Sequence, residues 1–118
     1  MPLLNIYSSH QIKKQIIESL SDTLTTLVAS NLGKSEDFVM ILFQRPEFQS
    51  FGNNAMDHSV YIELKNVGTL SPDTTQRLTS AMTECLVEAI DLAKSRIYIE
   101  FQESDRHLWA WGGKTFSK

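Results

Sequence analysis

Apolar residues recur along the first third of the chain at steps of three, four and one: Ile12, Ile16, Ile17, Leu20, Leu24, Leu27, Val28 and Leu32. That spacing lines one face of an amphipathic helix. Gly33 follows at once, suited to the left-handed position that closes a helix. Ahead of the helix, residues 2–7 read as a short strand ended by polar Ser8 and Ser9. Behind it, residues 37–44 are a nearly continuous apolar run, short enough for a strand buried on both faces. Pro46, Gly52, Asn53 and Asn54 then mark a loop.

The pattern repeats. Residues 59–65 alternate, with Val60, Ile62 and Leu64 on one face. Gly68 and Thr69 break the run. Ser71 is a good helix N-cap, Pro72 suits the first helical position, and Asp73 favours the positive end of the dipole. Leu78, Ala81, Met82, Cys85, Leu86, Ala89, Ile90 and Ala93 form the second helical stripe. Residues 96–103 alternate again: Ile97, Ile99 and Phe101 face one way, Tyr98 and Glu100 the other. Lys34-Ser35 with Phe43-Gln44 is echoed by Lys94-Ser95 with Phe101-Gln102, a period of about 60 residues. The expected fold is α+β: tandem β-α-β units over residues 1–118, one domain, forming one four-stranded mixed sheet with two helices on one face. Each crossover makes its two strands parallel.

The other sheet face is left with Tyr61 and Tyr98, and the C-terminal stretch adds Leu108, Trp109, Trp111 and Phe116. Uncovered apolar groups of this size mark interfaces. The pattern therefore predicts a homo-oligomer that buries open sheet faces between subunits; the alternative is that the tail folds back on its own core.

Composition narrows the function. The chain is 42% hydrophobic and 21% charged, with a net charge of −3 and no basic run. A nucleic-acid footprint is not expected. No stretch approaches the roughly 18 apolar residues of a membrane span. The N-terminus lacks the features of a secretory signal, so the expected location is cytoplasmic, with signal-independent export left open. Cys85 is the single cysteine, so no intrachain disulfide forms; it reads as a core thiol. His10, His58 and His107 lack metal-ligand spacing and read as solvated surface groups. Asp57-His58-Ser59 holds triad residue types, but neighbours on an extended chain diverge. No glycine-rich phosphate loop is present.

Pro2 directly after Met1, Gly33-Lys34 closing the first helix, Phe51-Gly52, Val67-Gly68, residues 96–99 (Arg-Ile-Tyr-Ile), Trp111 and Thr115-Phe116 occur in an order that resembles the macrophage migration inhibitory factor family of the tautomerase superfamily. The resemblance covers almost the whole chain. It implies a homotrimer with active sites at the subunit interfaces. It also implies a keto–enol tautomerase for phenylpyruvate-like 2-keto acids, with Pro2 as general base once Met1 is removed, and no cofactor or metal. The residues so implied are Pro2 as catalytic group and Lys34, Val67, Tyr98, Glu100, Trp111 and Phe116 as substrate-binding groups. Lys34 and the Val67 N–H hold the carboxylate; Tyr98 comes from an adjacent subunit.

A secondary amine works as a base only when neutral. Burial among Trp111, Phe116 and other apolar groups lowers its pKa, and a nearby cation such as Lys34 lowers it further. Two departures stand out. Glu100 replaces an asparagine of well-known family members and either repels an anionic substrate or pairs with Lys34 or Arg106. Trp109 replaces a smaller apolar residue and narrows the pocket. The Cys-x-x-Cys element of some members is missing, with Ser59 and Ile62 in its place. The competing functional reading is a protein-binding or signalling molecule with a vestigial pocket and an unknown receptor.

Overall fold

A computed structural model describes residues 1–117. Strand β1 (Leu3–Ser8) leads into helix α1 (Lys14–Leu32), then β2 (Met40–Gln44), β3 (Val60–Val67), helix α2 (Pro72–Ala89) and β4 (Ile97–Ser104). A small hairpin, β5 (Ala110–Trp111) and β6 (Lys114–Thr115), ends the described chain. The order across the main sheet is β2-β1-β3-β4. β1 runs parallel to β2, with Leu3 opposite Met40, and antiparallel to β3, with Ser8 opposite Val60. β3 runs parallel to β4, with Val60 opposite Ile97. The two expected parallel pairs are joined back to back by the antiparallel β1–β3 contact, which makes the sheet mixed.

The hydrophobic pattern places the core. Alternate strand residues point to one face, and Leu4, Ile6, Ile62 and Leu64 there are fully buried. Leu20, Leu24 and Val28 of α1 and Leu78, Met82 and Leu86 of α2 close over them. Burying each such side chain favours folding by about 1.5–3 kcal/mol. The helix ends follow local chemistry. The Ser71 hydroxyl accepts from the Thr74 N–H, with Pro72 in the first position of α2. Gly33 takes φ 63°, ψ 38°, and Lys34 N–H closes onto Ala29 C=O at 2.9 Å.

Three local expectations are corrected. Residues 37–44 do not form one strand: Glu36–Phe38 is a 3-10 turn capped by the Ser35 hydroxyl, which accepts the Asp37 N–H, and the strand starts at Met40. Nor is it buried on both faces. It lies at the sheet edge with helices on one side only, leaving Met40 and Leu42 exposed. Cys85 is half-buried at the margin of the core, not sealed within it.

The open sheet face is more polar than its tyrosines suggest. Tyr7 and Tyr61 stack with ring centres 5.8 Å apart. The Tyr61 hydroxyl lies 3.0 Å from both a Glu63 and a Glu100 oxygen. Asn5 donates to Tyr7 and Glu63, Gln44 to Asn5, and Gln102 to Glu100. Burial and the two carboxylates push the Tyr61 phenol pKa up.

Candidate functional site

The start of β1 is fixed from behind. Pro2 is buried, and its carbonyl accepts the Met40 N–H at 3.1 Å. Met1 projects beyond it into a cavity of about 250 Å³ lined by Lys34, Val67, Gly68, Arg106 and Phe116. Lys34 arrives there because Gly33 turns the chain at the end of α1. Its Nζ donates to Val67 C=O at 2.7 Å, at the end of β3. Phe116 is brought back by the hairpin, where its N–H meets Trp109 C=O at 3.0 Å. Arg106 sits in a short 3-10 turn after β4 and donates Nε–H to Phe116 C=O at 3.0 Å.

The electrostatics of this cavity disfavour positive charge. Burial, then the Lys34 charge, hold the Met1 α-amine down to about 6. Burial, then Arg106, hold the Lys34 ammonium below the usual lysine value. Desolvation removes the water that stabilises a cation, and a like charge adds repulsion.

Of the sequence-expected site residues, one chain therefore gathers Lys34, Val67 and Phe116 around the N-terminus, with Pro2 directly behind Met1. Trp111 is not among the residues lining that cavity; it stands edge-on to Phe38, ring centres 5.1 Å apart. Tyr98 lies elsewhere, tilted over Phe51 at 4.6 Å, beside a second cavity of about 400 Å³. Glu100 engages Tyr61 and Gln102, so among the described residues its hydrogen bonds go to neither Lys34 nor Arg106. Trp109 is half-buried beside Phe116.

Two further features were not anticipated. Arg106 shares the N-terminal cavity with Lys34; its place depends on the tail hairpin, which no periodicity announces. At the opposite end of β1, His10 and His58 are half-buried and stacked with ring centres 4.8 Å apart, not freely solvated. Ser8 donates its hydroxyl to His10 C=O at 2.7 Å, so at 2.6 Å it accepts from His58 Nε2–H. A serine activated as a nucleophile needs the reverse polarity, so this pair is structural. Burial and then His10 lower the His58 pKa, partly offset by Asp91. Arg96 ties the same loop down, donating to the carbonyls of Phe51, Asn54 and Asp57 within 2.9 Å. The β1–β3 register brings these distant residues together.

Tandem β-α-β units, a mixed four-stranded sheet and a cationic cavity at the chain's own N-terminus define an α+β protein built around that terminus. The chain belongs to the macrophage migration inhibitory factor family, whose model matches residues 1–117. A homologue from Brugia malayi is 28% identical over 92 residues, covering 78% of this chain and 79% of its own. The solved homologue from Prochlorococcus marinus is 30% identical, with a TM-score of 0.89 over 98% of this chain and 99% of its own. A more distant structure, of a protein inactivated by 2-oxo-3-pentynoate, is 8% identical; its TM-score is 0.87 over 97% of this chain and 95% of its own. Among the described residues, no helix is long and apolar enough to cross a membrane.

Proposed function

We propose that the protein is a cofactor-independent keto–enol tautomerase for phenylpyruvate-like 2-keto acids, with the Pro2 amine as base after removal of Met1. The carrying observation is the N-terminal cavity, in which burial and Lys34 together hold the α-amine down to about 6. Loss of Met1 turns the Pro2 amide nitrogen into a secondary amine one residue behind the Met1 amine, at the edge of the cavity that Lys34 and Phe116 line. A base poised near the working pH is the most effective kind.

In the reaction, neutral Pro2 takes a proton from the carbon next to the ketone. The C–H electrons become the C=C bond of the enolate, and the proton passes to its oxygen. Lys34 attracts the carboxylate as a point charge. The distance of Tyr98 and Glu100 from this cavity in one chain is accounted for by a homotrimer, in which they reach the site from an adjacent subunit. The inactivation of a protein of the same fold by a 2-oxo acid supports the substrate class.

The test begins with the intact mass, which reports whether Met1 is gone. Enol formation from phenylpyruvate is then followed by absorbance. A rate in the processed protein that Pro2→Gly abolishes is expected. No rate above background, or an unchanged rate in Pro2→Gly, sinks the proposal.

A further inference from the structure

Among the described residues, the N-terminal cavity is lined by two cations and no carboxylate: Lys34 and Arg106 stand there with Met1, Val67, Gly68 and Phe116. Two like charges facing one small space repel unless an anion lies between them. Among the described residues, neither finds that anion in its own hydrogen bonds. Lys34 spends one of its three N–H donors on the carbonyl of Val67, and Arg106 spends Nε–H on the carbonyl of Phe116. The second bond does more than satisfy a donor. It anchors the guanidinium plane to the hairpin, while the four N–H groups on its two Nη atoms have no hydrogen-bond partner among the described residues. A fixed planar fork of this kind matches the two oxygens of a carboxylate, which a lysine point charge does not.

We propose that Arg106 is a specificity-determining residue of this cavity, gripping the substrate carboxylate with its Nη groups beside Lys34 and so selecting free 2-keto acids over their neutral esters. This rests on the tautomerase reading of the same site and names what that site discriminates. Because the carboxylate does not itself react, Arg106 binds ground state and transition state alike. Its loss therefore raises KM and leaves kcat nearly unchanged.

The experiment compares phenylpyruvate with methyl phenylpyruvate in processed wild-type protein, Arg106→Gln and Arg106→Lys. For Arg106→Gln, KM for the acid is expected to rise about tenfold, in line with loss of one charge-assisted hydrogen-bonded contact. KM for the ester stays within about twofold by the same reasoning. Arg106→Lys, which keeps charge but not the fork, falls between. If Arg106 only braces the tail through Phe116, KM for acid and ester rise together, and the proposal is overturned. It is equally overturned if KM for the acid does not change. If the wild type turns over neither compound, the tautomerase reading fails, and calorimetric binding of phenylpyruvate decides the Arg106 proposal. Binding about tenfold weaker in Arg106→Gln upholds it; equal affinity, or no binding by the wild type, overturns it.

Discussion

Replacing Lys34 with Gln removes the nearby charge from the N-terminal cavity while keeping a side chain of similar reach. In the chain that retains Met1, the α-amine is lowered from 8.0 to about 6, a fall of about two pH units, with burial the larger cause and Lys34 the smaller. The smaller of two causes supplies at most half, so Lys34→Gln lets the amine rise by no more than about one pH unit, to about 7 or below. At pH 7 an amine with a pKa of 6 is about nine-tenths neutral, and one with a pKa of 7 about half neutral. The neutral fraction at pH 7 therefore falls by less than about twofold, whereas an unburied amine near 8 would be only about one-tenth neutral. Titration of the amine by NMR in the Met1-retaining chain measures this directly. In processed protein, the acidic limb of the pH–rate profile should move up in Lys34→Gln in the same direction. A wild-type midpoint at or above 8 would refute the reasoning. So would a midpoint indifferent to Lys34→Gln, and a rise well beyond one pH unit would show that charge outweighs burial.

Gly33→Ala meets no steric obstacle, since nothing lies within 4 Å of an added Cβ, but φ stays at +63°. It should cost about 1 kcal/mol, read as a lower urea midpoint with an unchanged slope; an unchanged midpoint contradicts the left-handed cap. His58 has a folded-state pKa below 6.5, so the unfolded chain binds more protons just below that pH. Its contribution to stability is thus present above about 6.5 and is lost as pH falls toward the folded-state value. His58→Gln should flatten that part of the stability–pH curve, and an equally steep curve assigns the slope to other groups. Glu100→Asn removes a carboxylate from the open sheet face and should lower KM for phenylpyruvate about twofold, the scale of an exposed charge interaction; an unchanged or higher KM puts Glu100 outside the pocket or already neutralised.

Much of this architecture was legible in the chain. Helix stripes of period near 3.6 and strands of period 2 each bury one face, so Leu20, Leu24 and Val28 or Val60, Ile62 and Leu64 declare their side without knowledge of a partner. Ser71-Pro72 and Gly33 mark helix ends because capping depends on atoms a few residues away. The run at residues 37–44 misled because hydrophobic content does not reveal whether a strand is central or at an edge. Met40 and Leu42 are apolar yet exposed, and only strand order explains it. The histidines misled for a related reason: His10 and His58 lie far apart in sequence and meet through the antiparallel register of β1 and β3.

The sequence by itself determined the two helices and three of the four sheet strands, the buried face of each of these, and a family resemblance that brought Pro2, Lys34, Val67 and Phe116 into one expected site. The reason is that periodicity and capping are local. Only the tertiary structure decided that Arg106 joins Lys34, that Glu100 meets Tyr61, and that Tyr98 stands over Phe51 away from the N-terminal cavity. Those outcomes depend on how β4 and the tail hairpin are carried past strand ends far away in sequence. Charge acts through space, so whether a cation faces an anion, another cation or a carbonyl is settled only when the chain has closed.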